Sequence, residues 1–194
     1  MKHTIFDTPV VSHFFNFCCW LGLKLSGWTI EGDAPTARKY VVIAAPHTSN
    51  WDFPLTIAIA FRLKIKVFWM GKDSLFRGVM GPIMRWLGGI SVDRSQATGL
   101  VQQVVDEFSR NPDLIVAIPP EGTRSRVQRW KSGFYHVACN AHVPIALGFL
   151  DFKRKVGGIN GLFEPTGNYE KDLQSIQRFY QRIAGKKPDQ FISP

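Results

Sequence analysis

The stretch VVIAAPHTSNWDFP, residues 41–54, decides how this chain is read. An apolar run stops at Pro46, His47 follows at once, and Asp52 comes five residues later between Trp51 and Phe53. Tyr40 to Ala45 has the length of a buried strand and is too short for a helix. A helix is expected after Asn50, with Pro54 tolerated in its first turn, and running to about Arg62.

On a continuous helix, residues five apart point about 140° from each other, at about 100° per residue. His47 and Asp52 therefore meet only if Thr48-Ser49-Asn50 turns the chain. Asp52 would then sit in a first helical turn, where the helix dipole favours the carboxylate. Neutral imidazole, with a reference pKa of about 6.5, accepts a proton near neutral pH. A carboxylate on its other nitrogen fixes the tautomer and steadies the imidazolium. By itself a His near a carboxylate is an ordinary polar contact. The sequence also offers no GxSxG elbow and no Cys beside the motif, so the proton would come from a substrate such as an alcohol.

Further strands are expected at 66–70 (KVFWM), 90–92 (ISV), 114–118 (LIVAI) and 143–152 (VPIALGFLDF). Between them fall a helix at 81–89, one capped by Asp93 or Ser95 that carries Leu100, Val104, Val105 and Phe108 at helical spacing and ends at Asn111-Pro112-Asp113, and one at 133–141. A polar hairpin-like region and a helix through 173–185 close the chain. This alternation predicts one α/β domain, a mixed and mostly parallel sheet flanked by helices, with functional loops at strand ends.

The 194 residues suit one substantial core. A formal charge of +9 favours an anionic partner: nucleic acid, an anionic membrane face or a phosphorylated substrate. No nucleic-acid motif is present, and fifteen Phe with six Trp suit a lipid surface. Cys18, Cys19 and Cys139 have neither disulfide nor metal spacing, so no metal site and a reducing cytoplasmic compartment are expected.

Residues 9–23 (PVVSHFFNFCCWLGL) carry no charged side chain. A spanning helix needs about 20 apolar residues, and Ser12, His13 and Asn16 interrupt this run before Lys24. Ser12 and Asn16 form a narrow polar stripe opposite Phe14, Phe17 and Leu21. Residues 1–30 are thus expected to be an interfacial helical segment on the cytoplasmic face of a membrane, ahead of a domain at 31–194. A helix packed on the domain's own core is the other reading of the segment.

The second motif is PEGTRS, residues 120–125, after the strand at 114–118. Backbone amides at Gly122 and Thr123, with the planar fork of Arg124, would suit a phosphate monoester. In order along the chain, His-x4-Asp at 47–52, GKDSLF and GPIMRWLGGISVDR within 71–94, PEGTRS, WKSG at 130–133 and VPI at 143–145 resemble the glycerolipid acyltransferase family. The best-known members of that family acylate lysophosphatidic acid. The resemblance spans roughly residues 35–150. The residues around His47, and the single Pro of VPIALGF, depart from the commoner pattern and mark a divergent, short member.

The resemblance implies that His47 is a general base oriented by Asp52, and that Glu121, Gly122, Thr123 and Arg124 hold the acceptor's head group. Lys72 and Arg94 match positions associated with the phosphate. The implied reaction moves an acyl group from acyl-CoA or acyl-carrier protein to a lysophospholipid-like acceptor, without metal or organic cofactor. A lyso-amino-acid lipid or a glycolipid is an alternative acceptor. The competing class is a non-catalytic basic membrane-binding module.

Overall fold

The computed structural model describes residues 3–93 and 97–191. Seven strands form one sheet: β1 (Thr29–Glu31), β2 (Lys39–Ala45), β3 (Val67–Lys72), β4 (Gly89–Val92), β5 (Leu114–Ile118), β6 (Ile145–Asp151) and β7 (Val156–Phe163). Their order in the sheet is β1-β7-β6-β2-β5-β3-β4, and every pairing is parallel except β6 with β7. Six α-helices complete the fold: α1 (Val11–Ser26), α2 (Asp52–Arg62), α3 (Met80–Trp86), α4 (Ala97–Arg110), α5 (Gly133–Ala141) and α6 (Tyr169–Tyr180).

The central strands are apolar without alternation because both faces of the sheet are covered. In β2, Val41, Ile43 and Ala45 enter the larger core with residues of α4, α5 and α6. Tyr40 and Val42 face the smaller core, with Ala60 of α2. The chain leaves β2 through α2 toward β3, and leaves β5 through α5 toward β6 on the other side of β2. The two loops therefore diverge from neighbouring strands onto opposite faces, and the gap between them is the place where such sheets bind ligands.

Three elements differ from expectation. The hairpin-like region contains a full strand, β7, whose Gly157 and Gly158 hide its propensity from the sequence. Glycine is required there: a Cβ on Gly158 would stand 1.9 Å from Glu31 O of the adjoining β1. That strand β1 straddles position 30, so the chain joins the sheet within the segment drawn as N-terminal. Helix α6 starts at Tyr169, capped by the Asn168 side chain accepting from Lys171 N at 3.2 Å. It ends at Tyr180, and residues 181–185 are not helical.

Helix α1 lies on α2. Phe15 stacks on Phe61 with ring centroids 6.1 Å apart, and Asn16 Oδ1 accepts from Arg62 Nη1 at 3.0 Å. Asn16, half of the expected polar stripe, thus faces the domain, while Phe14, Phe17 and Trp20 face outward, 62%, 56% and 39% exposed. No helix among the described residues is long and apolar enough to cross a membrane.

The β1–β7 junction yields a stability prediction. Gly158→Ala forces that contact apart at a cost of about 2 kcal/mol, which lowers Tm by about 4–8 °C in a chain of this size. Gly133→Ala, whose Cβ meets nothing within 4 Å, serves as control. Equal melting temperatures for the two variants would show that β1 does not depend on this close approach.

Candidate active site

β2 ends at Ala45, and the next two residues bring His47 to the carboxyl edge of the sheet. Asp52, the first residue of α2, is 3% exposed and organises the turn between them. Its Oδ2 accepts from Thr48 N at 2.7 Å and Ser49 N at 2.8 Å, and its Oδ1 accepts from Ser49 Oγ at 2.9 Å. The same Oδ2 stands 3.3 Å from His47 Nδ1. Burial opposes the charge of Asp52, but the contacts from His47, Ser49 and Thr48 outweigh it and hold its pKa below 3.8. A charged carboxylate only accepts hydrogen bonds, so the network assigns the proton to Nδ1 and leaves Nε2 as the basic nitrogen. The imidazole remains partly open, 25% exposed.

PEGTRS lies beside this loop because β5 pairs directly with β2. Glu121 is 2% exposed, and its Oε1 accepts from His47 N at 3.0 Å. It therefore supports the backbone of the histidine, where the family resemblance implies a head-group contact. Its Oε2 is buried without a partner in the described structure, and burial pushes the carboxyl above its ordinary 4.5. Gly122 adopts φ +64° and its N–H donates to Pro119 O at 3.1 Å. Of the two amides expected to face an anion, Gly122's is thus already engaged. The Thr123 hydroxyl accepts from Ser125 N at 3.2 Å, which shapes the loop.

Arg124 is exposed and its Nη1 donates to Asn50 Oδ1, tying the arginine to the histidine loop itself. The structure thus brings His47, Asp52, Glu121, Gly122, Thr123 and Arg124 together. Lys72 is exposed at the carboxyl end of β3, on the same edge of the sheet but two strands from β2. Arg94 lies outside the described residues.

Sequence reasoning left two features out of the site. The Lys131 side chain lies against Gly122, with Nζ 3.0 Å from where a Cβ would be. Its place in the WKSG step was its signal. The segment after α6 also touches the motif loops, and no motif marks it. Beneath α2 lies a cavity of about 60 Å³ that reaches His47 and Asp52 at one end and Leu63, Ile65 and Val67 at the other. Its wall of Ile59, Ala60 and Ile159 is apolar.

The Acyltransferase family model matches residues 28–146, more than half of the chain. This chain belongs to the Acyltransferase family. The match runs from the start of β1 into β6 and contains both motif loops, so the protein is an acyltransferase enzyme. Comparison with curated proteins gives no match. The fold is similar to the crystal structure of the 1-acyl-sn-glycerophosphate (LPA) acyltransferase PlsC from Thermotoga maritima, with a TM-score of 0.62 at 18% identity. That likeness covers 87% of this chain and 76% of PlsC.

Burial of Glu121 gives this acyltransferase a testable pH signature. A carboxyl raised above 4.5 stabilises the fold in its protonated form. That contribution is complete below about 4.5 and is lost as pH rises through the folded value. Glu121→Gln does not titrate, so the stability of the wild type relative to this variant should decline between pH 4.5 and 7.5. Urea unfolding midpoints at both pH values measure it, and a constant difference would rule out the raised carboxyl.

Proposed function

We propose that this acyltransferase moves a fatty acyl group from an acyl thioester, acyl-CoA or acyl-carrier protein, to the hydroxyl of a lysophospholipid-like acceptor such as 1-acyl-glycerol-3-phosphate. The observation that carries the reading is the His47–Asp52 pair with Arg124 fixed to Asn50 of the same loop. A proton acceptor and an anion-binding fork are thereby held on one short stretch of chain.

Ser49, a hydroxyl inside the motif, donates to Asp52, so its proton is committed to a carboxylate and not relayed to His47. The nucleophile in this mechanism is therefore the acceptor alcohol. His47 Nε2 takes its proton as the oxygen attacks the thioester carbonyl. The tetrahedral intermediate collapses, the carbon–sulfur bond breaks, and the imidazolium returns the proton to the departing thiolate. No cofactor beyond the thioester enters these steps. Arg124 and Lys131 bind the acceptor's phosphate, and Arg124 sets its hydroxyl against His47 by proximity. The apolar cavity under α2 receives the start of the acyl chain.

A site for lipid acceptors is best served at a lipid surface. The outward Phe14, Phe17 and Trp20 of α1, with Val79, Met80 and Ile83 around α3, are exposed apolar groups on a strongly basic protein. They support docking on the cytoplasmic face of a membrane, where anionic lipid adds about 1 kcal/mol per well-placed Lys or Arg.

The deciding experiment offers acyl-CoA and acyl-carrier protein with a panel of lysophosphatidic acid, lyso-amino-acid lipid and glycolipid acceptors, read by mass spectrometry. Transfer to lysophosphatidic acid is expected. Thioester turnover confined to an acceptor without phosphate would overturn the acceptor assignment. His47→Ala should reduce kcat by about 10²–10⁴-fold with a normal melt. Arg124→Lys should not restore what Arg124→Ala loses on the phosphorylated acceptor, since a point charge does not replace a two-pronged donor.

Membrane docking has its own measurement. The double variant Phe14→Ser, Phe17→Ser should sediment less with anionic vesicles while keeping its melting temperature, because both rings are already exposed. Undiminished sedimentation would remove α1 from the docking surface.

A further inference from the structure

The family match ends at residue 146, yet the chain beyond α6 returns to the active site and touches both motif loops. Tyr180 anchors its start, donating from its hydroxyl to Gly148 O of β6 at 2.9 Å. Ile183 is buried, and Ala184 O accepts from Phe152 N at 2.8 Å. Gly185 then packs on the histidine loop so closely that a Cβ would lie 2.8 Å from Thr48 Oγ1 and 3.1 Å from Pro46 Cβ. Lys186 Nζ sits 4.7 Å over the ring of Trp51, and Lys187 N donates to Thr48 Oγ1 at 3.2 Å. With its amide oriented by the surrounding groups, Gln190 donates to Thr48 O at 3.0 Å and to Arg124 O at 2.8 Å. Phe191 packs on the main core and fixes the far end.

We propose that residues 185–190 are a positioning strap for the acceptor-binding loop, with Gln190 as the residue that couples the Arg124 backbone to the histidine loop. The proposal deepens the reading of Arg124 as the acceptor's anchor and rests on it. The two loops differ in how they are held without the strap. His47, Thr48 and Ser49 each give a backbone N–H to a buried carboxylate. The Arg124 loop is held differently: Glu121 meets the His47 amide and the Arg124 guanidinium reaches Asn50, while the Gly122, Ser125 and Lys131 amides bond only within the loop. Gln190 is the group that holds the arginine's own carbonyl. Loss of the strap should therefore fall on acceptor binding more than on proton transfer.

The test uses the full chain. Gln190→Ala should raise the acceptor KM about tenfold while kcat changes by less than about threefold, with the donor KM held. Gln190→Glu should be worse than alanine, since an acceptor-only carboxylate would then face two carbonyl oxygens. Gly185→Ala, which lifts the strap without deleting a donor, should shift KM in the same direction. Hydrogen exchange without substrate gives an independent readout: Gln190→Ala should speed exchange at residues 123–126, with β2 and β5 unchanged. Failure of the wild type to acylate any phosphorylated acceptor would overturn the functional reading, while exchange would still decide the strap. Unchanged exchange at 123–126, or a fall confined to kcat, would overturn the strap.

Discussion

One buried carboxylate sets the geometry on which the rest of the site depends. Asp52 is removed from water, which by itself favours its neutral form, yet it is charged because two backbone amides, a hydroxyl and an imidazole surround it. Those partners belong to the loop that carries the histidine. The ion therefore cannot be satisfied unless the loop is folded, and the loop cannot fold this way without the ion. Removing the side chain would leave the two buried amide donors without their acceptor, each costing about 1–3 kcal/mol. Structure and chemistry share a single source here, since the arrangement that stabilises the turn also fixes the imidazole tautomer.

The sheet topology makes a second carboxylate available to the same loop. Because β2 and β5 are parallel neighbours whose connections diverge, the residues after Ala45 and after Ile118 emerge side by side. Glu121 reaches across that gap to the His47 amide, seventy-four positions away in the chain. Its own charge is disfavoured by burial, so the two carboxylates near His47 are pushed in opposite directions: Asp52 down and Glu121 up. A neutral Glu121 is the cheaper companion to a charged Asp52, since like charges at close range repel.

Much of this was legible in residue order. Strands β2 and β5 are apolar runs that end at proline, and the His-x4-Asp pair, an ordinary polar contact when taken alone, became specific together with PEGTRS. The role of Glu121 was not legible, because a motif records which residues recur and not which way they point. Strand β7 escaped because its glycines serve close packing against β1, a tertiary demand that lowers local propensity. The apolar periodicity of Ile176 and Tyr180 is carried on by Ile183, which extended the expected helix past its true end. Asn16 was read as half of a polar stripe opposite the outward phenylalanines, and only the position of Arg62 on α2 shows that the stripe's Asn16 meets the domain.

The two motif loops are supported in different ways, which separates substitutions that disturb the fold from those that do not. The histidine loop is over-determined: two buried carboxylates, a helix start and the packing of Gly185 all specify one conformation. Few changes there can be absorbed. The arginine loop meets the rest of the fold through Glu121 at the His47 amide, through Arg124 at Asn50 and through Gln190 of the segment after α6, with Lys131 packed on its own Gly122. Lys131, Lys186 and Lys187 are exposed, so their substitution leaves the core intact, unlike that of Ile183 in the same segment. On the proposed reading, proton transfer is set by the sheet and the buried Asp52, while the acceptor's charged group is held from the periphery. Substitution at those exposed lysines therefore costs less stability than substitution at the buried carboxylates that hold the histidine loop.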